Sequence, residues 1–129
     1  MRKIFLLTGL LVFTLLMVSC VVSKTQLFNQ DDNGGGFTVE VNKVFKVTLP
    51  ANPTTGYGWY FNKLDTEAFK VVESGYNSES DSRVGAGGNS WWKIKTLAKG
   101  EKTLSLLYYR SWEGPQKAVN QYEITLIIK

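Results

Sequence analysis

The sequence predicts an all-β fold, an immunoglobulin-like antiparallel β-sandwich of about seven or eight strands. Three observations predict it. Apolar residues recur with period two over strand-length runs, those runs are broken at short intervals by Gly, Pro, Asn, Asp and Ser, and no stretch of the globular part repeats with the 3.6-residue period of a helix. A chain of 129 residues has room for one core of ordinary size. A small barrel is the main competing architecture. With a single cysteine in the whole chain, the disulfide usual in antibody domains cannot form, so packing must hold the sheets together.

Taken in order, residues 1–19 read as an export signal: Arg2 and Lys3 precede an apolar run over residues 4–18, a charged n-region and short h-region rather than part of a domain. The run ends in Met17-Val18-Ser19-Cys20, which resembles the lipobox of bacterial lipoproteins. A lone cysteine in an exported chain has no internal partner, and its place at the end of the h-region favours lipidation. Val21 and Val22 lengthen the apolar run towards a membrane span, so an uncleaved N-terminal anchor is the alternative. Both readings tether the domain outside the cytoplasm, on the cell envelope. Residues 20–36, polar and ending in Asp31-Asp32-Asn33-Gly34-Gly35-Gly36, read as a flexible lipid-anchored spacer.

The domain is then expected over residues 37–129. Phe37, Val39 and Val41 alternate, as do Phe45, Val47 and Leu49. Trp59 to Phe61 follow, Trp59 being the natural central core residue, and Phe69, Val71 and Val72 make the next run. Residues 63–68 have room for one helical turn, and residues 75–90 form a long segment rich in glycine and serine. Trp92, Ile94 and Thr96 then alternate with Trp91, Lys93 and Lys95, a turn follows at Lys99-Gly100, and Leu104, Leu106 and Tyr108 continue in register. Tyr122, Ile124, Leu126 and Ile128 mark the last strand.

Three segments between strands combine special backbone residues with exposed chemistry. In Asn52-Pro53-Thr54-Thr55-Gly56-Tyr57, Pro53 fixes its own φ and holds Asn52 extended, while Gly56 permits positive φ, so the loop is shaped before anything meets it. Gly85-Ala86-Gly87-Gly88 has neither G-x-G-x-x-G nor P-loop spacing and no Lys-Ser/Thr after it, which argues against a phosphate cradle; its glycines instead admit a foreign backbone. Arg110-Ser111-Trp112-Glu113-Gly114-Pro115 places an arginine and a tryptophan, the residue types enriched in binding hot spots, on one loop. A tryptophan capping the core is the alternative for Trp112. In an immunoglobulin-type sandwich the B–C, D–E and F–G loops share one end, and the three segments fall in that order.

These three segments resemble the signatures of the chagasin family of cysteine protease inhibitors: an N-P-T-T-G-[YF] loop, a G-x-G-G loop and an R-P-W loop, in the same order. The likeness covers about residues 37–129. The first signature matches in full and is followed by Trp59; the departure is Ser111, where the family commonly has proline. The resemblance implies reversible, competitive inhibition of papain-like cysteine proteases by occlusion of the active-site cleft. Asn52, Pro53, Thr54, Thr55, Gly56 and Tyr57 would enter the cleft, with Gly85, Gly87 and Gly88 on one flank and Arg110 and Trp112 on the other.

Other classes fare worse. The chain has no histidine, so Ser-His-Asp and Cys-His catalysis and histidine metal sites are unavailable, and no spacing sets two carboxylates on one cleft. No enzyme activity, cofactor or metal is expected. Removing residues 1–19 takes away Arg2 and Lys3 and no acid, lowering the formal net charge from +4 to +2, and no basic cluster suggests nucleic acid. A cell-surface module binding protein or carbohydrate through Trp91, Trp92, Tyr108, Tyr109 and Trp112 is the alternative function, although strand alternation assigns most of these to packing. The domain is expected to act as a monomer.

Overall fold

The computed structural model describes residues 24–79 and 87–129; the expected signal, Cys20 and Gly85 lie outside the described residues. Eight strands form two four-stranded sheets. They are β1 (Gln26–Phe28), β2 (Gly36–Val39), β3 (Val44–Ala51), β4 (Tyr57–Phe61), β5 (Phe69–Ser78), β6 (Gly88–Thr96), β7 (Gly100–Arg110) and β8 (Asn120–Ile128). One sheet has the order β1-β3-β6-β5 and the other β2-β8-β7-β4. The pairings are antiparallel except at two edges, where β1 runs parallel to β3 and β2 parallel to β8. The sandwich predicted from alternation is therefore present, with two short parallel additions.

Those additions correct the reading of residues 20–36 as a flexible spacer. From Gln26 onward this stretch belongs to the sandwich. Gln26 pairs with Phe45 and Phe28 with Val47, and Phe28 is buried between Phe37 and Phe45, ring centres 4.9 and 5.7 Å away. The polar residues between β1 and β2 close a tight 3-10 turn: the Asn29 side chain accepts from the Asp31 N–H at 2.9 Å, and the Asp32 carboxylate accepts from the Asn29 N–H at 2.8 Å. This capping box satisfies two main-chain donors where the chain crosses from one sheet to the other. Composition concealed it because one aromatic residue, Phe28, supplies the burial.

Inside the sandwich the alternation holds. Phe45, Val47 and Leu49 of β3 face Leu104 and Leu106 of β7 and Tyr122, Ile124 and Leu126 of β8 within one buried cluster, together with Trp92, Ile94 and Trp59. Thr96, also buried, donates its hydroxyl to the Glu40 carbonyl at 2.6 Å and accepts from the Lys43 N–H at 3.3 Å, pinning the turn between β2 and β3. Asn42 takes positive φ in that turn, as a short polar side chain tolerates.

The single turn expected within residues 63–68 is present: the Phe69 N–H donates to the Asp65 carbonyl at 2.9 Å, and the Asp65 carboxylate caps the turn by accepting from the N–H groups of Glu67 and Ala68 at 3.0 and 3.3 Å. The hydrogen bond from Lys102 is the main reason its carboxyl lies below the usual range. Two details differ from the sequence-based expectations. Val72 is exposed, out of phase with the inward Phe69 and Val71 and at a bulge between Val71 and Glu73. The segment 75–90 is strand at both ends: β5 continues to Ser78 and β6 begins at Gly88. An edge strand with polar residues on both faces has no alternation to show, and Gly75 is small because the Trp91 ring lies against it.

If β1 is part of the core, Phe28→Ala should lower stability by about 3 kcal/mol, the usual range for an emptied aromatic site, measured by chemical denaturation. A change below about 1 kcal/mol would return the segment to the status of a loose tether.

Candidate functional site

The register of both sheets brings three loops to one end. In the first sheet Ala51 and Ser78 both pair with Gly88, so the end of β3, the end of β5 and the start of β6 are level. In the second, Tyr57 pairs with Arg110 and Tyr108 with Asn120, so the start of β4, the end of β7 and the start of β8 are level. The loops after β3, β5 and β7 therefore leave from the same tip.

The first loop is closed by its own side chains. Asn52 is extended at φ −133°, and its Oδ1 accepts from the Thr54 N–H at 3.2 Å and the Thr54 hydroxyl at 2.6 Å. Pro53–Thr55 make a 3-10 turn, the Thr55 hydroxyl donates to the Asn52 carbonyl at 2.7 Å, and the Gly56 N–H donates to the Pro53 carbonyl at 3.0 Å. Gly56 is left-handed at φ +81°, a conformation that costs an L-residue roughly 1–2 kcal/mol. The proline and glycine act as expected from sequence.

The third loop locks onto the first. Arg110 donates from Nε to the Thr55 carbonyl at 3.1 Å, its guanidinium lies 4.5 Å over the Tyr57 ring, and it pairs with Glu113 at 3.3 Å. The Trp112 indole lies against Gly56, so closely that any Cβ there would run into the ring edge. Trp112 is 71% exposed and does not cap the core. Glu113 and Gly114 N–H groups both donate to the Arg110 carbonyl, and Gly114 takes positive φ before the Pro115–Lys117 turn.

Beneath the loops sits an aromatic brace. Tyr57 stacks on Tyr108 with centroids 5.4 Å apart, Trp59 lies 4.8 Å from the same ring, the Trp59 indole N–H donates to the Pro50 carbonyl at 2.9 Å, and the Tyr108 hydroxyl accepts from the Asn52 N–H at 3.2 Å. The bond to Asn52 spans 56 residues of sequence, and alternation alone assigns Tyr108 only to the inner face of a strand.

Of the second loop, the ends are described. Gly87 lies close to the first loop, a Cβ there meeting the Ala51 carbonyl at 3.5 Å and the Asn52 Cβ at 4.0 Å. Gly88 is buried at the root of the loop, where a side chain would collide with the Asn77 carbonyl, so strand packing demands a glycine there. The Asn89 amide donates to Glu79 at 3.1 Å across the base of the loop.

The aromatic residues outside the tip do not gather into a second surface. Trp92 is buried, Trp91 lies on the outer face of its sheet under Lys46 and Lys93, and Tyr109 of β7 packs against Tyr60 of the neighbouring strand β4. Among the described residues no three His, Cys, Asp or Glu side chains come together as metal ligands.

Comparison with known proteins gives a consistent picture. The family described as "Chagasin family peptidase inhibitor I42" matches residues 38–126. Chagasin of Trypanosoma cruzi is 33% identical over 98 residues, which cover 73% of this chain and 89% of that protein. Among solved structures, the cysteine protease inhibitor EhICP2 of Entamoeba histolytica superposes with a TM-score of 0.73 at 22% identity, covering 81% of this chain and 96% of the other. PbICP-C, solved in complex with falcipain-2, superposes with a TM-score of 0.58 at 16% identity, covering 82% and 92%. At those identities the two structures speak for the fold.

Tyr108→Phe removes the acceptor for the Asn52 N–H while keeping the stacked rings. It should lower stability by about 1 kcal/mol and speed hydrogen exchange at the Asn52 amide. Unchanged exchange at that amide would show that the loop does not depend on the brace.

Proposed function

Because the chain belongs to the chagasin family of peptidase inhibitors, we propose that it inhibits papain-like cysteine proteases reversibly and competitively, as a monomer, by seating its three-loop tip in the active-site cleft. The observation that carries this reading is the junction of Thr55, Gly56, Arg110 and Trp112. The loop joining β3 to β4 and the loop joining β7 to β8 are fixed to each other before a partner arrives, so docking orders few new torsions and little entropy is lost.

The first loop is suited to block the catalytic cysteine without being cut. A substrate offers an extended peptide whose carbonyl is free for attack and polarisation. Here the Asn52 and Pro53 carbonyls accept bonds within the turn, and the Thr55 carbonyl accepts from Arg110. Thr54, Thr55 and Gly56 thus fill the space of a substrate while withholding its geometry. Gly87 and, outside the described residues, Gly85 supply backbone on one flank, with Gly88 holding the root of that loop. Trp112 supplies a large exposed ring on the other flank, with Arg110 setting its position. Such a wedge is compatible with a standard interface of about 1,600 Å².

Inhibition by occupancy needs no reaction, and the absence of histidine and the single cysteine at position 20 support a chain without catalytic activity. Asp65 and Glu113 are each held in an ion pair, with Lys102 and Arg110 respectively. The apolar run over residues 4–18 and the Met17-Val18-Ser19-Cys20 sequence support export and attachment to the cell envelope through a lipid on Cys20.

Titration of papain with the purified protein tests the reading: activity should fall stoichiometrically, and full activity at a molar excess of inhibitor would refute it. Trp112→Ala should weaken inhibition about thirtyfold or more, corresponding to roughly 2 kcal/mol for a hot-spot aromatic; an unchanged inhibition constant in the folded variant would remove Trp112 from the interface. Gly56→Val should cost only about 1–2 kcal/mol in stability, because the exposed Trp112 can swing away. Its inhibition should drop by about a hundredfold or more, since both loops change shape. Proportionate loss in melting and inhibition assays would contradict this.

A further inference from the structure

The end of the sandwich opposite the three loops has its own chemistry. The described chain enters there, because Gln26 pairs with Phe45 near the start of β3 and β3 runs from that end to the tip. The turn over residues 40–43, the end of β6 and the end of β8 are drawn together: the Val41 N–H donates to the Lys129 carbonyl, the Lys129 N–H to the Val39 carbonyl, and the Asn42 N–H to the Thr96 carbonyl. A groove of about 900 Å³ opens at this base, and Lys24, Lys43 and Lys129 all line it beside Val39, Val44 and Phe45. Lys99 lies in the neighbouring turn, next to Gly100, which pairs with Ile128. All four lysines are exposed. The three ion pairs among the described residues use other side chains; the carboxylates nearby are Glu40, Glu101 and, on the loop whose Ala68 carbonyl accepts from the Leu97 N–H, Glu67 and Asp65, the last of them paired with Lys102. At the tip the described charges balance, Arg110 and Lys117 against Glu79 and Glu113.

We propose that this base faces a membrane, its four lysines docking on an anionic lipid surface so that the inhibitory tip points away from the bilayer. The inference rests on attachment through residue 20, and chain geometry then does most of the work. Since the sandwich begins by Gln26, only three residues separate Cys20 from Lys24, and the four residue steps reach at most about 14 Å. A tether that short holds the base within one or two Debye lengths, about 8 Å each at physiological salt, where basic side chains are drawn to anionic headgroups. The eight residues of β3 alone place the tip about 27 Å further out, beyond that field and open to a soluble protease.

Lysine footprinting tests this. The full chain, residues 1–23 included, is reconstituted into vesicles of phosphatidylcholine, with or without about one third phosphatidylglycerol, and acetylated, each lysine being read by mass spectrometry. On anionic vesicles Lys24, Lys43, Lys99 and Lys129 should react at least about fivefold more slowly than in detergent while Lys117 is unchanged, and raising salt to about 0.5 M should restore them. In K43E/K129E, protection of Lys24 and Lys99 should fall. Protection of Lys117 equal to that of the base, equal reactivity on neutral and anionic vesicles, or failure of the chain to associate with vesicles would each overturn the proposal. Papain inhibition by the same sample in detergent separates the two readings, since it depends on the tip alone.

Discussion

The structure depends on two sheets being fastened to each other at one end. A β-sandwich packs its sheets through side chains, which leaves the loops at its rim free to move independently. Here the rim is bridged by polar bonds that cross from sheet to sheet, the Tyr108 hydroxyl to the Asn52 N–H and the Trp59 indole to the Pro50 carbonyl, and Arg110 of β7 ties down the Thr55 carbonyl in the loop that joins the two sheets. Each bond satisfies a main-chain group that would otherwise need water. Together they turn the loops after β3 and β7 into one body. A tip assembled in this way keeps its shape in water, which is the property an occluding inhibitor requires.

How much of this was legible in the sequence follows from the range of each interaction. Local determinants were readable: Pro53 and Gly56 shape their turn through φ alone, and Phe45, Val47 and Leu49 declare their buried face by alternation. Interactions across the fold were not. Arg110 meets Thr55 only because β4 and β7 are neighbours with Tyr57 opposite Arg110, a register that no local pattern encodes. The same applies to Tyr108, whose hydroxyl does its work 56 residues away.

The errors have the same origin in reverse. Residues 26–36 look solvated because polar side chains and glycines outnumber Phe28, yet one buried ring and a capping box suffice to bind the segment to sheets that already exist. The stretch 75–78 reads as loop because an edge strand exposed on both faces has no period to detect. Gly88 was legible as a glycine that matters, while its reason, the close approach of the Asn77 carbonyl, lies in strand packing.

The chemistry of the tip also bears on how recognition can work. Its ionic groups are few and Arg110 is partly neutralised by Glu113, so long-range steering of a partner has little to act on. What the tip offers is fixed backbone around Gly56 and the broad face of Trp112. Backbone shape and an aromatic surface discriminate poorly among proteases with similar clefts, because neither demands a particular charged partner. A rigid, nearly uncharged plug therefore suits a class of enzymes better than a single member.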